Sequence, residues 1–145
     1  MKTRFRFEKL EVRQEARAIN HTVYRVTRKF ADYEMFAMTS QTRRAAISVS
    51  SNIAEGSGRN SDKDFAHFPE RAFASLMETA SLFQLALDED HVSGPDLDPV
   101  FGDFEKTAKR IVALNNSLQV ESSKTPFERK TPPALVSRPS TFDQP

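Results

Sequence analysis

Apolar side chains recur through the first 122 residues at intervals of three and four, never in the strict alternation of a half-buried strand. Val12, Ala16, Ile19, Val23, Val26 and Phe30 form the first seam, which predicts a helix from about Phe7 to Lys29. At the standard rise per residue that helix is roughly 35 Å long. A second face, Ala46, Val49 and Ile53, follows Thr39 and Ser40, either of which offers a hydroxyl to cap a helix start. Gly56 is placed to end this helix in the left-handed conformation that glycine tolerates. Ala45, Ala46, Ser48, Ser50 and Ser51 are small enough to let a neighbouring helix approach closely.

A third stripe, Phe65, Phe68, Ala72, Leu76, Ala80, Phe83 and Leu87, is expected to start at Ser61, with Asp64 as the partner in a short capping box. Pro69 interrupts it. Proline removes a backbone donor and collides with the carbonyl four residues back, so a kink or a restart is expected there. Ser93, Gly94 and Pro95 read as the closing turn, and Leu97, Phe101, Phe104, Ala108, Ile111 and Leu118 make a fourth seam. Short links set consecutive helices in opposite directions, so the expected fold is all-α: an antiparallel up-down-up-down four-helix bundle over residues 1–122. Ser123 to Pro145 holds five of the eight prolines and no helical period, which predicts a disordered, flexible tail. Its prolines never fall three apart, so it lacks the P-x-x-P pattern.

The third helix is apolar around more of its circumference than one bundle face needs. Phe73, Met77, Leu82 and Leu85 stand beside the main stripe and are the candidate surface for a second copy of the chain.

Composition narrows the chemistry. With 145 residues and 38% hydrophobic side chains, the chain can bury the core of one domain. The absence of cysteine excludes a disulfide scaffold, a thiol nucleophile and a thiolate-bound metal. No window approaches the roughly 18 apolar residues of a membrane span, and Met1 to Glu8 lacks the apolar stretch of a signal peptide. No membrane partner and a cytoplasmic location are expected.

The net charge of +1 hides an asymmetry: residues 1–60 carry +6, residues 61–122 carry −7, and the tail +2. One reading is internal compensation, a basic hairpin beside an acidic one, with Arg43 and Arg44 paired to acids such as Glu78. The other is a basic face toward RNA or DNA, with Arg13, Arg17, Arg43, Arg44 and Arg59 as candidate phosphate contacts.

Motifs for catalysis are missing. There is no Glu-x-x-His pair, no H-E-x-x-H and no G-x-S-x-G; His21, His67 and His91 stand alone, so no metal and no cofactor are expected. In the Glu55 to Arg59 loop, two glycines before a helix start suit either an anion or simply a helix stop joined to a serine cap. Asn52, Glu55 and Gly56 read as a structural junction: the Asn52 amide toward the reversing backbone, the Glu55 carboxylate toward Arg44, Arg59 or the next helix start, and Gly56 setting the angle between hairpins.

Phe7-Glu-Lys-Leu-Glu-Val12 and the run from Thr39 through Arg59 resemble the four-helix bundle family known as the 23S rRNA intervening-sequence proteins. The similarity continues through Asp64, Phe65, Phe68, Ser75, Leu76 and Glu78 and covers about residues 5–120; Pro69 departs from it, standing where an apolar residue is usual. The resemblance implies an antiparallel bundle assembled into a ring of five copies, without catalysis. Related accessory proteins of diversity-generating retroelements bind nucleic acid and are distinctly basic, whereas this chain is nearly neutral. A homo-oligomeric binding or scaffold protein is the expectation, with a nucleic-acid-binding accessory role as the alternative.

Overall fold

In the computed structural model, residues 4–124 are described. Helices α1 (Glu11–Thr27), α2 (Met38–Ser57), α3 (Asp62–Phe65), α4 (His67–Asp88) and α5 (Gly94–Lys124) follow in order, with 3₁₀ turns at Arg6–Lys9 and Asp32–Glu34, and no strand among the described residues. The backbones of the long helices approach closely as α1–α2, α2–α4, α4–α5 and α5–α1, while those of the diagonal pairs do not. Residue numbers rise along one helix as they fall along its neighbour. Asn20 Nδ2 donates to Ser50 Oγ (2.8 Å) and Arg43 Nε to Thr27 Oγ1 (2.9 Å) between α1 and α2. Gln41 Nε2 donates to Glu78 Oε1 (2.6 Å), and the Ser48 and Ser75 hydroxyls lie 2.8 Å apart, between α2 and α4.

The core follows the seams. All six positions of the first are buried, as are Ala46, Val49 and Ile53 of the second. Across α3 and α4 the line runs Phe65, Phe68, Ala72, Leu76, Phe83 and then Ala86; of the other expected positions Ala80 is half-buried and Leu87 is exposed. A step of three from Phe83 keeps to the core face, because a repeat of 3.6 residues drifts if every step is four. In α5, Val100 and Thr107 join Leu97, Phe104, Ile111 and Leu118 in the interior, with Phe101 and Ala108 half-buried.

Several expected boundaries move, each for a local reason. The first helix does not begin at Phe7: Leu10 is extended (φ −78°, ψ 116°) so that its side chain packs on the core, and the helix proper spans Glu11–Thr27. Neither Thr39 nor Ser40 caps α2. That helix starts at Met38 without a side-chain cap on Ala37, and the carboxylate of Glu34 accepts the Met38 N–H instead (3.2 Å). Ser93-Gly94-Pro95 does not close α4; the reversal lies at Glu89–Val92, with Asp90 left-handed (φ 58°), and Gly94 and Pro95 open α5. The Ser93 hydroxyl accepts from the Asp96 N–H (3.3 Å), matching the Ser61 hydroxyl, which accepts from Asp64 N–H (3.1 Å) at the start of α3. Hydrogen bonding from Ser93, then the nearby Lys29 ammonium, holds the Asp96 carboxyl below the usual carboxylate range. The expected tail lies outside the described residues, apart from the end of α5 through Lys124.

Pro69 is accommodated by a restart, but two residues earlier than expected: the helix breaks at Ala66 and restarts at His67, which places Pro69 third, inside a first turn, where its missing N–H costs no intrahelical bond. Gly56 is the larger correction. It has no positive φ and α2 runs through it to Ser57, so it is not a left-handed stop. What demands glycine is space: a Cβ there meets Phe65 Cδ2 at 2.5 Å and Phe68 Cβ at 2.7 Å.

Gly56→Ala is therefore expected to destabilise by about 1–3 kcal/mol through overpacking, read by urea denaturation. Gly102→Ala, where a Cβ meets nothing within 4 Å on the exposed face of α5, is expected to stabilise by about 0.5–1 kcal/mol in the same assay.

Candidate functional site

Two surfaces differ from an ordinary solvated helix face. The first is the outer flank of α1. At about 100° per residue, Arg13, Arg17, His21, Arg25 and Arg28 fall on the side away from the core, one turn apart in succession. The two carboxylates of α1 point elsewhere. Glu15 lies 2.7 Å from Arg110 Nε and 3.4 Å from Lys106 Nζ, and Glu11 also pairs with Arg110, so both are drawn toward α5. Arg13, Arg17, Arg25 and Arg28 have no ion pair among the described residues, which leaves an unneutralised cationic strip roughly 23 Å long from Arg13 to Arg28.

The five arginines anticipated from sequence do not form one patch. Arg17 is exposed on the strip, and Arg13 stands beside it with its guanidinium 4.8 Å from the Phe7 ring centre and Nε buried without a hydrogen-bond partner. Arg43 leans across from α2, bonding Thr27 and covering the Tyr24 ring at 4.6 Å. Arg44 is exposed about 100° further round α2 and makes no ion pair among the described residues. Neither pairs with Glu78, whose carboxylate takes the Gln41 amide instead. Arg59 is engaged at the junction, 3.0 Å from Glu55 Oε1 and 4.7 Å over the Phe68 ring, which Arg71 approaches at 5.1 Å. Sequence reasoning missed Arg25 and Arg28. The signal was present, because steps of three and four from Arg13 on the side opposite the apolar seam reach both.

The contacts of the junction residues are local. Asn52 does not reach the reversing chain; its amide donates back to the Ser48 carbonyl (2.8 Å) and hydroxyl (3.0 Å), bridging toward Ser75. Glu55 finds Arg59, one of the partners anticipated for it, in an exposed pair of small energetic weight. Among the described residues no group of three His, Asp or Glu is placed to hold a metal ion. His21 and His67 are exposed, whereas His91 is enclosed: its Nε2 lies 3.6 Å from Glu34 Oε1, and its ring stacks on Phe30 at 5.6 Å and tilts against Tyr33 at 5.8 Å.

The second surface is apolar. Met77 and Ala80 of α4 face Phe101, Phe104 and Ala108 of α5 across an open groove of about 410 Å³, rimmed by Gln84 and Glu105. A second groove on the same side, toward the far end of α5, brings Phe73 and Pro69 against Ile111, Val112 and Asn115, whose buried Oδ1 lacks a hydrogen-bond partner. Phe73 and Met77 thus belong to the α4–α5 side, but Leu82 does not join them: it lies about 180° round α4 from Phe73 and is half-buried. Leu85, 48% exposed, points outward between the two. No helix of the described residues is long and apolar enough to cross a membrane.

Arg43→Ala is expected to lower stability by about 1–2 kcal/mol through loss of its hydrogen bond and ring contact, whereas Arg17→Ala should change it by less than about 0.5 kcal/mol. Thermal and urea unfolding of both variants separate a structural arginine from one that the fold leaves free.

The profile of the 23S rRNA-intervening sequence protein family matches residues 8–113, which covers all of α1 to α4 and most of α5. No curated protein sequence matches the chain. Among solved structures, a protein with unknown function from the S23 ribosomal protein family of Bacteroides thetaiotaomicron superposes with a TM-score of 0.53, covering 79% of this chain and 99% of that one. At 18% identity that likeness concerns the fold. With its profile spanning the helices and seams described above, the chain belongs to the 23S rRNA-intervening sequence protein family.

Proposed function

We propose that this protein is a non-enzymatic binding or scaffold module that works as a homo-oligomer. The observation that carries this reading is the apolar α4–α5 groove, where Met77 is 42% exposed beside the half-buried Phe101, in a chain otherwise rich in exposed charge. A contact with another protein surface is one use of an apolar groove left open between two helices and rimmed by polar residues. Five copies in a ring is the assembly that the family resemblance suggests. Light scattering of the full chain at micromolar concentration is expected to give a mass near 82 kDa, five times 16.4 kDa. A single 16.4 kDa species overturns the reading.

The α1 flank favours a second activity, nucleic-acid binding. Four arginines without carboxylate partners along one helix face provide phosphate contacts, and repetition of the strip in an oligomer multiplies weak contacts. Labelled single-stranded RNA and DNA are expected to bind at low salt and to be lost steeply toward physiological salt. The paired variant Arg17→Ala/Arg25→Ala is expected to weaken that binding about tenfold at low salt. No binding at low salt removes this activity and leaves the scaffold reading standing.

A further inference from the structure

We propose that copies of this chain associate head to tail, with the apolar tip of the α1–α2 link of one copy seated in the α4–α5 groove of the next. The inference deepens the self-association proposed above and rests on it.

The tip is conspicuous. Tyr33 is 78% exposed, Phe36 is 96% exposed and Met35 is also exposed, three large side chains within four residues. A loose loop would lose much of its binding energy to ordering, but this one is held. Met35 N–H bonds the Asp32 carbonyl (3.1 Å), Ala37 N–H the Glu34 carbonyl (3.0 Å), and the Glu34 carboxylate takes the Met38 N–H. From behind, His91 of the α4–α5 turn packs on Tyr33 and Phe30. Apolar groups presented on a fixed support lose little conformational entropy on docking.

The groove is its counterpart. Met77, Ala80, Phe101 and Ala108 line it, and its volume of about 410 Å³ lies in the range of ligand-sized sites. Charge agrees with the pairing. Arg28, at the start of the link that carries the tip, has no ion pair among the described residues, and neither does Glu105 on the rim of the groove. Opposite unpaired charges on the two surfaces orient the encounter and disfavour tip against tip. Because tip and groove are different patches of one molecule, their contact is heterologous, and it propagates from copy to copy until rotation closes it.

Complementation tests this directly by sedimentation velocity of the full chain. Phe36→Ser removes the tip and keeps the groove; Met77→Glu spoils the groove and keeps the tip. Each variant alone is expected to run as a 16.4 kDa monomer, and an equal mixture as a species of two copies, about 33 kDa, because one productive contact remains. Leu85→Ser, exposed elsewhere on α4, is expected to keep the wild-type size. Far-UV circular dichroism checks that each variant stays helical, and if Met77→Glu unfolds, Glu105→Arg at the exposed rim replaces it. A wild-type oligomer whose two variants keep its size, or whose mixture stays monomeric, overturns this inference alone. A monomeric wild type overturns it together with the reading beneath it.

Discussion

The bundle depends on how closely α2 can lie against α4. Ala45, Ala46, Ser48 and Gly56 on one side meet Ala72, Ser75, Thr79 and the Phe65–Phe68 corner on the other, and this is the most extensive contact between any two helices. Small side chains let the backbones approach, and the hydroxyls brought into the contact are satisfied locally. Thr42 donates to the Met38 carbonyl, Thr79 to the Ser75 carbonyl and Ser57 to the Ala54 carbonyl, so none is buried without a partner. At the Gly56 end the approach is tightest, and the chain must then turn, break at Ala66 and restart so that Phe65 and Phe68 can both cover the glycine. The proline that looked disruptive sits where such a restart accommodates it.

Charge is arranged by the same topology. Because α1 borders α5, its carboxylates meet the cations of the otherwise acidic half, Lys106 and Arg110, and Lys29 meets Asp96. Of the compensation expected between a basic and an acidic half, the described residues show two pairs, Lys29 with Asp96 and Arg6 with Asp62. Glu11 and Glu15 pair the other way, with cations of the acidic half, and this leaves the outer arginines of α1 without carboxylate partners among the described residues.

The seams were legible because burial over many turns outweighs any single residue: Val12 to Phe30 and Ala46 to Ile53 needed only their period. Features decided by one distant partner were not. The capping of α2 depends on Glu34, which no capping rule anticipates, and Gly56 is required by two aromatic rings from another helix, although its place before a serine resembles a helix stop. Asn52 bonds one turn back, a choice that sequence spacing allows but does not select. The candidate surfaces were half legible. That Phe73 and Met77 share one side of α4 followed from spacing, but their separation from Leu82 required the helix to be placed among its neighbours, and the exposed tip at Tyr33 to Phe36 lay in a stretch with no period to read.

The contact between Glu34 and His91 joins two links that are far apart in sequence. One carboxylate holds the first amide of α2 and faces the imidazole of the α4–α5 turn, while Phe30 and Tyr33 clasp that imidazole from the other link. Chain reversals at a bundle end commonly fray independently, each on its own clock. Here opening either reversal strips the other of packing, which couples the two into one expected unit of local unfolding. Backbone amides of Met38 and His91, some fifty residues apart, are thereby expected to open together at this end of the molecule.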